Sequence, residues 1–351
     1  MMDKLAGALV GYGAVAQNAH APALRGREDL AIVAVADADP ARLRLAEEAF
    51  PGARPYPNLE ALLETETKLD FLDLATPPWL HGRQVLMALE RGLHVLCEKP
   101  LTLDTAEYHR IAEAARRRDR AVFTVNNWAC APIWAKAAEL SAAGALGEVH
   151  HCELHAVRIK PSVAAGPGDW RTDANLAGGG ILVDHGWHNL YLLKRMLFPH
   201  ADAPGPVETA AFFHRPAPAM AETEATVFYR FPAATALLHL TWRGSSRSNW
   251  AVFHGSRAAL ELRDDHLLLR PAAETEQRFD FPEKLSAGSA HPEWFAALLP
   301  DFGAEVRDPG RRGRNLAESG FVLNLIRQAY DGGHKSRAIR RRPRATEALH
   351  P

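Results

Sequence analysis

The sequence predicts an α/β protein: an N-terminal doubly wound parallel sheet, then an α+β domain with a large, open and mostly antiparallel sheet. Three observations carry this prediction. Short apolar runs alternate with helical patterns over the first third of the chain, as in consecutive βαβ units. A glycine-rich turn follows the first of these runs. From residue 148 onward, strand patterns follow one another without intervening helices, which indicates antiparallel pairing.

The first βαβ unit begins at the N-terminus. Residues 5–10 predict a strand, a glycine turn follows, and a helical pattern extends toward Leu24. Residues 31–36 are almost wholly apolar, as expected of a parallel strand buried on both faces, and the run ends at Asp37. A helix is predicted over 40–50, because its proline at position 40 is well tolerated in a first helical turn.

The same alternation continues to residue 125. Strands are predicted over 69–75, 93–97 and 121–125, and helices over 80–91 and 105–118. Gly92 marks the end of a helix, since glycine readily adopts the left-handed conformation with which many helices end. We predict that the first domain comprises residues 1–127.

The second domain is predicted over 128–335, and a basic tail over 336–351. A helix over 132–143 opens it, and further helical patterns cover 178–197 and 316–330, the last ending at Gly332 and Gly333. Its strands are predicted over 149–159, 207–213, 225–231, 235–242, 249–254, 258–262, 266–269 and 278–281.

Composition narrows the class of protein. Hydrophobic residues make up 47% and charged residues 24% of the 351 residues, and the formal net charge is −1. This balance gives no general attraction to nucleic acid or to an anionic membrane, and no apolar run is long enough to span a bilayer. Cys97, Cys130 and Cys152 show no CxxC spacing, and three thiols cannot all pair, which favours a reducing compartment. We therefore expect a cytoplasmic protein without nucleic-acid or membrane partners.

The turn after the first strand has the spacing of a dinucleotide-binding site. Residues 11–16 read GYGAVA, which matches GxGxxA. Gly11 permits the tight turn, Gly13 lets the backbone approach a pyrophosphate, and the small Ala16 allows close helix–strand packing. The helix N-terminus then offers free amides to the phosphates, which places Ala14 and Val15 against the cofactor as well.

Asp37 stands at the end of the second strand, 24 positions after Gly13. A carboxylate at this place accepts hydrogen bonds from the adenosine ribose hydroxyls. It would also repel a ribose 2′-phosphate, Asp39 adds to that repulsion, and the first basic residue, Arg42, lies further along. The sequence therefore predicts NAD as the preferred cofactor over NADP.

A second glycine run precedes a candidate catalytic pair. Residues 178–180 are three glycines, which would let the backbone approach a ligand closely. On the helical pattern that follows, Asp184 and His188 are four residues apart and would share one face. A carboxylate beside an imidazole fixes the ring tautomer and makes the ring a proton acceptor.

Taken in order along the chain, these motifs resemble the Gfo/Idh/MocA (glucose–fructose oxidoreductase, inositol dehydrogenase, rhizopine catabolism) superfamily over nearly its whole length. Besides the glycine turn and the 178–188 segment, the resemblance rests on Thr76-Pro77-Pro78 with His81, and on Glu98-Lys99-Pro100. It implies an N-terminal Rossmann domain, and a C-terminal sheet that forms a homodimer or homotetramer.

The resemblance also implies roles for individual residues. Lys99, Asp184 and His188 would be catalytic. The cofactor would further contact Thr76, Pro77, His81, Glu98, Lys99, Asn127, Trp170 and Arg171, although His81 could instead touch the substrate or cap its helix. The chain departs from the family pattern at His185 and at Tyr191, and lacks an arginine before Pro132, which leaves the substrate open.

The function that these motifs predict is hydride transfer between a nicotinamide cofactor and a secondary hydroxyl or ketone of a sugar, inositol or related polyol. His188 would be the general base, oriented by Asp184, and Lys99 would stabilise the developing negative charge on the same oxygen. Two alternatives remain: a glycosidase that borrows and returns a hydride, with Tyr191 as candidate acid or base, and a non-catalytic cofactor-binding sensor.

Metal chemistry is the remaining question. His150, His151 and His155 lie on one predicted strand, and Asp184, His185 and His188 have ligand-like spacing on a helix. Strand histidines without a nearby cysteine or carboxylate cluster are usually surface or interface residues. Because the glycine fingerprint and Lys99 favour a metal-free dehydrogenase, we expect no bound metal.

Overall fold

The structure, a computed structural model, describes residues 4–161, 174–199, 203–217 and 220–335. The predicted basic tail 336–351 lies outside the described residues. The described chain forms two sheets with helices on their faces, and the predicted fold class is confirmed. Every helix and strand below is numbered in chain order.

The first sheet has six parallel strands in the order β3-β2-β1-β4-β5-β6. Its strands are β1 Leu5–Val10, β2 Leu30–Ala36, β3 Arg54–Tyr56, β4 Phe71–Leu74, β5 His94–Cys97 and β6 Val122–Thr124. A π-helical turn, Ala16–His20, leads into α1 Ala21–Leu24, and the other helices are α2 Pro40–Ala49, α3 Leu59–Thr65, α4 Pro78–Glu90 and α5 Thr105–Arg118. The short β3 and α3 are additions to the predicted elements.

Side-chain caps explain where the helices of this sheet begin. The carboxylate of Asp39 accepts from the Ala41 amide at 2.8 Å at the start of α2, and Asp104 does the same for Glu107 at the start of α5. Each bond satisfies an amide that has no partner inside its own helix. Gly92 has φ +72° just after α4, as its predicted place at a helix end requires.

The second sheet has eight strands in the order β14-β13-β12-β11-β7-β10-β9-β8. They are β7 Val149–Val157, β8 Glu208–His214, β9 Glu224–Arg230, β10 Thr235–Thr241, β11 Ser248–Gly255, β12 Ala258–Leu262, β13 His266–Pro271 and β14 Gln277–Asp280. All neighbours pair antiparallel except β7 and β10, which are parallel. The parallel pair arises because the chain leaves the sheet after β7 and returns at its far edge.

Helices cover one face of this sheet: α6 Pro132–Ala142, α8 Ile181–Asp184, α9 Gly186–Leu197 and α11 Arg314–Lys335, with a 3₁₀ turn, Asn127–Cys130, before them. The short α7, Ala174–Ala177, packs against α4 instead. Burial alternates along β9 and β10, as period-two strands with one covered face require. Fully buried Leu238 and Tyr229 lie on the covered face, whereas Phe228 points away from it.

Two helices of the second domain differ from the sequence-based prediction. The predicted helix over 178–197 is divided by the glycines and by a break at His185. The last helix continues through Gly332 and Gly333 instead of ending there. A Cβ at position 332 would lie 2.9 Å from the Thr209 carbonyl oxygen, so close packing on β8 accounts for that glycine.

An additional helix, α10 Pro292–Arg307, was not predicted. Its apolar side chains, among them Phe295, Leu298 and Phe302, pack in one cluster with Leu9 and Phe71 of the first sheet. A segment late in the chain therefore covers the N-terminal sheet. In the described residues, no helix combines the length and apolarity that crossing a bilayer would need.

Candidate active site

A cleft of about 830 Å³ lies where the first sheet meets the helices of the second. Eight of the residues predicted for the site line it: Ala14, Val15, Thr76, Glu98, Lys99, Asn127, Asp184 and His188. The cleft lies at the carboxyl ends of the parallel strands, next to β1 and β4, where the strand order reverses. Doubly wound sheets bind their ligands at this switch point, so the fold itself favours the location.

The glycine turn has the geometry that a bound pyrophosphate requires. Gly11 has φ +89°, and a Cβ there would lie 2.9 Å from the backbone of Ala75. At Gly13 a Cβ would meet only Arg42, at 3.9 Å, so the space beside its backbone is open. Since the helix begins directly after this opening, its free amides face the same space. These residues fit a dinucleotide.

The Asp37 carboxylate holds the backbone of the glycine turn in place. Its carboxylate accepts hydrogen bonds from the Tyr12 amide at 2.6 Å and from the Asp39 amide at 2.8 Å. Arg42, which lies further along the chain, places its guanidinium 3.8 Å from Asp37 and beside Gly13. The first turn of α2 folds back over the glycine turn, which linear distance along the sequence does not reveal.

The turn after β4 is fixed by hydrogen bonds. The Thr76 hydroxyl donates to Gln84 at 2.6 Å, and Pro77 precedes α4. His81, predicted to contact the cofactor, is buried, and its two ring nitrogens lie 2.8 Å from the carbonyl oxygens of Thr76 and Pro100. With both nitrogens engaged by backbone, His81 joins two turns at the cleft and has no free nitrogen for a ligand. Burial lowers its pKa.

Lys99 projects from the turn after β5 and reaches across the cleft. Its ammonium donates to Asp184 Oδ1 at 3.0 Å and to the Asp184 carbonyl oxygen at 2.8 Å. The Lys99 amide donates to Glu98 Oε2 at 3.0 Å, so the Glu98 carboxylate fixes the backbone that carries the lysine. The structure thus brings together two of the three predicted catalytic residues in direct contact, on opposite walls of the cleft.

A buried, charged triad of His20, Asp73 and Glu98 was not predicted. His20 Nδ1 lies 2.9 Å from Asp73 Oδ2, and His20 Nε2 lies 3.1 Å from Glu98 Oε1. His20 and Asp73 are fully buried, and Phe295 of α10 covers the ring at 4.0 Å. Burial alone would lower the pKa of His20, but Asp73 and then Glu98 outweigh it and raise this pKa to about 9.

The sequence contained one signal for this triad. Asp73 interrupts the otherwise apolar strand Phe71–Leu74, and a carboxylate on a strand buried on both faces needs a buried partner. The partner comes from the helix after the glycine turn. Its identity could not be read from the sequence, because it depends on which face of that helix meets β4.

His188 is oriented differently from the prediction. Its ring stacks on Trp128 at 5.0 Å between centroids, with an interplanar angle of 11°. The Asp184 carboxylate instead engages Lys99, and its Oδ2 lies 3.3 Å from His185 Nδ1. The structure divides the predicted helix into α8 and α9 at His185, although His185 itself keeps helical dihedral angles.

Burial, followed by repulsion from Lys99 and His185, holds the pKa of His188 well below its usual range. Burial likewise lowers the pKa of His185, although Asp184 opposes it. Both rings are therefore neutral at neutral pH, and a neutral imidazole can accept a proton. In the part of the chain that the structure describes, His188 Nδ1 has no hydrogen-bond partner.

The glycine run over 178–180 serves packing as well as access to the cleft. A Cβ at Gly180 would lie 2.0 Å from the Glu222 carbonyl oxygen. The buried Glu222 carboxylate accepts from the amides of Gly180 and Leu182 at 2.9 and 3.1 Å, and from the Tyr330 hydroxyl at 2.8 Å. Glu222 thus fixes the start of α8, the helix that carries Asp184.

The remaining predicted residues separate into three cases. Trp170 and Arg171 lie outside the described residues. Tyr191 is buried and donates its hydroxyl to Glu318 at 2.7 Å, so it packs against α11 and does not line the cleft. His151 and His155 lie on the open face of the second sheet, where His155 stacks on Trp250. Within the described ranges, no group of three or more histidine, cysteine or acidic side chains is arranged to hold a metal ion.

Comparison with known proteins agrees with the architecture. A family model described as an oxidoreductase family with an NAD-binding Rossmann fold matches residues 5–126, and a GFO/IDH/MocA C-terminal domain model matches 134–261. An uncharacterized oxidoreductase of Synechocystis sp. is 26% identical over 365 aligned residues, which cover 93% of this chain and 94% of the relative. D-glucoside 3-dehydrogenase of Escherichia coli is 30% identical over 185 residues, 52% of this chain and 51% of that enzyme.

Solved structures show the same fold. Levoglucosan dehydrogenase, in complex with NADH and levoglucosan, has a TM-score of 0.81 to this chain at 18% identity. The match covers 95% of this chain and 98% of that chain. At this identity the likeness shows the fold alone.

Proposed function

This chain belongs to the GFO/IDH/MocA oxidoreductase family, and from that premise we propose that it is an NAD-dependent dehydrogenase or reductase acting on a secondary hydroxyl or ketone of a sugar or polyol. One observation carries the proposal: Lys99, Asp184 and His188 meet in a cleft at the switch point of a sheet whose glycine turn fits a dinucleotide. Two relatives, a glucoside dehydrogenase and a levoglucosan dehydrogenase, support the sugar class.

The chain supplies charge and proton transfer at the reacting oxygen. A bound nicotinamide would accept or donate the hydride. Asp184 holds the Lys99 ammonium, and the Glu98 carboxylate holds the Lys99 backbone amide. Lys99 would donate a hydrogen bond to the substrate oxygen and stabilise negative charge on it. His188, held neutral by its surroundings, would accept the hydroxyl proton during oxidation and return it during reduction.

The proposal is tested by native mass spectrometry of the purified protein, followed by NADH absorbance across a panel of sugars, inositols and their acids. NADH formation with one substrate class supports the proposal. Tightly held NAD with no net NADH, but with cleavage of a glycoside, would indicate hydride-borrowing hydrolysis instead. Neither NADH nor glycoside cleavage, with NAD bound, would indicate a sensor.

We further propose that NAD is preferred over NADP because of Asp37. Asp37→Ser is expected to lower the ratio of kcat/KM for NAD over NADP by about tenfold or more. The substitution removes the charge that repels a 2′-phosphate and frees Arg42, now 3.8 Å from Asp37, to bind it. Initial rates with both cofactors measure this ratio.

Asp39→Ser is the matched control for this prediction. It removes the neighbouring carboxylate, which is half exposed, while serine still caps α2. We expect the cofactor ratio to change less than about threefold, because a charge in water is largely screened. A wild-type protein that uses NADP as well as NAD would overturn the assigned role of Asp37.

The proposed cytoplasmic protein would be a homodimer or homotetramer that assembles through the open face of the second sheet. Phe228 on β9 lies beside Ala210 and Leu237 on that face, and Phe212 is 61% exposed. Phe228→Glu is expected to shift the mass measured by light scattering from a multiple of 38.5 kDa toward 38.5 kDa.

Leu45→Glu is the control for assembly. Leu45 is an apolar residue that is more exposed than Phe228, at 46% against 36%, but it lies on α2 in the first domain. It should leave the mass unchanged. A wild-type protein that is monomeric at micromolar concentration would contradict assembly through this face.

A further inference from the structure

A buried arginine lies in the wall of the cleft. Arg158 follows directly after β7, and its side chain lines the cleft although the residue is only 4% exposed. Arg247 and Lys160 line the same cleft at its exposed rim. Buried guanidinium groups normally have a carboxylate partner, because an isolated buried charge is costly.

The hydrogen-bond partners that Arg158 has among the described residues are all neutral. Nη1 donates to the carbonyl oxygens of Val157 and Ser248 at 2.8 and 3.2 Å, and Nη2 donates to Asn249 Oδ1 at 2.9 Å. Among the described residues, Nε has no hydrogen-bond partner. Burial, with repulsion from Arg247, outweighs the attraction of Asp264 and Asp184 and lowers the pKa of Arg158 to about 10, so the group still carries its charge at neutral pH.

A supporting network fixes this guanidinium in place. Asp264 accepts from the Asn249 amide at 3.0 Å and from its side-chain nitrogen at 3.3 Å, which turns the Asn249 oxygen toward Arg158. The Ser286 hydroxyl holds the other Asp264 oxygen at 2.5 Å. Groups that hold a charged side chain in one orientation are typical of a binding site built before the ligand arrives.

The carboxylates of the cleft are already engaged elsewhere. Glu98 bonds to His20, and Asp184 bonds to Lys99. Many arginines of the described chain pair with carboxylates, as Arg27 does with Asp29, but no ion pair involves Arg158, Lys160 or Arg247 within the described ranges. Among the described residues that line the cleft, Lys99, Arg158, Lys160 and Arg247 therefore exceed the two carboxylates, and a bound anion would balance this positive charge.

Arg158 also lies near the proposed reacting centre. Its guanidinium carbon lies 5.7 Å from the ring centre of Trp128, and Trp128 stacks on His188. An anion bound by Arg158 would consequently belong to the same small molecule whose hydroxyl faces Lys99 and His188.

We propose that the substrate carries an anionic group, a carboxylate or a phosphate, that Arg158 binds at the wall of the cleft with help from Arg247 at its rim. This inference rests on the proposed dehydrogenase function and narrows its substrate class from sugars and polyols to their acids or phosphate esters. Guanidinium groups suit both anions, because their planar donors match two oxygens at once.

The test compares matched triplets of a neutral hexose, its hexuronate and its 6-phosphate in the gluco, galacto and manno series. Calorimetry on the complex with NADH gives Kd, and NADH formation from NAD gives turnover. In at least one series the hexuronate or the 6-phosphate should bind at least about tenfold tighter than the neutral hexose, in line with a charge-assisted hydrogen bond. The tighter-binding of the two probes identifies the anion. Raising the salt concentration should weaken the binding of that probe.

Three variants assign the effect to residues. Arg247 is exposed, so the Arg247→Gln protein should fold normally. It should bind the anionic probe about three- to tenfold more weakly. Arg158→Gln should weaken it about ten- to a hundredfold if it folds, with the affinity for the neutral hexose unchanged. Arg83→Gln, an exposed arginine paired with Glu60 outside the cleft, is the control and should change nothing.

Failure of this inference is separable from failure of the proposed function. NADH formation from neutral sugars, with no preference for the anionic probes, would overturn the anion site and leave the dehydrogenase intact. Tight binding of an anionic probe without NADH from any compound would uphold the anion site and contradict the dehydrogenase. Absence of binding by every anionic probe at 10 mM, a concentration far above the usual KM of about 1 mM or less, would overturn the anion site.

Discussion

Replacing Lys99 with alanine is expected to lower kcat by a factor of about 10² to 10⁴, with the Kd for NAD changed only a few-fold. In the proposed reaction Lys99 stabilises the charge on the reacting oxygen, and its ammonium is placed by two contacts to Asp184. A group that stabilises charge in the transition state affects kcat more than ground-state binding. Single-turnover hydride transfer and NAD titration measure the two quantities.

Lys136→Ala is the matched control for this prediction. Lys136 also forms an ion pair, with Glu139 at 2.7 Å, but lies on α6 outside the cleft lining. Its loss should leave kcat within about twofold, since exposed ion pairs contribute little. Lys99→Arg keeps the charge and should recover part of the activity. A folded, NAD-binding Lys99→Ala protein with full turnover would refute the assigned role.

Replacing His20 with glutamine is expected to lower the free energy of unfolding by about 3–5 kcal/mol, the usual cost of removing one partner from a buried ionic group. The substitution leaves Asp73, fully buried, without its cationic neighbour and deprives Glu98 of its partner. Urea denaturation at pH 7 measures the loss. His109→Gln, an exposed histidine on α5, is the control and should change stability by less than about 0.5 kcal/mol.

The same triad predicts a pH dependence. The pKa of His20 is about 9 in the folded protein and about 6.5 in the unfolded chain, so the folded state binds the extra proton more tightly. Its contribution to stability is complete below pH 6.5 and is lost as the pH rises through 9. The wild-type free energy of unfolding should therefore fall over this window more than that of His20→Gln. Equal pH profiles for both proteins would contradict a charged His20.

Burial and pattern account for how much of the fold was predictable. Strands such as 5–10 and 258–262 were assigned with the bounds that the structure has, because their apolar runs are short and flanked by turn residues. The π-helical turn was predicted as part of an ordinary helix, and α10 was missed. Pro300 inside α10 argues against a helix locally, and the packing of Phe295 and Phe302 on the first sheet overrides that preference.

The candidate site, like the fold, could be predicted from the sequence only in part. Glycine spacing and the Glu98-Lys99 turn can be read from the chain, since they depend on local backbone geometry and on strand order. The bond between Lys99 and Asp184 could not, because it joins residues 85 positions apart. Trp128 was likewise missed as the partner of His188, since ring stacking depends on how the 3₁₀ turn meets α9.

The sequence by itself determined the two-sheet α/β architecture, the family resemblance, the dinucleotide turn and the location of Lys99, Asp184 and His188. These features follow from periodicity and from motifs within a few residues. Only the tertiary structure decided which side chains meet: Arg42 beside Asp37, His20 between Asp73 and Glu98, and Arg158 held by Asn249. The physical reason is that such pairs join residues from 5 to 91 positions apart, and the contact depends on the packing of whole elements.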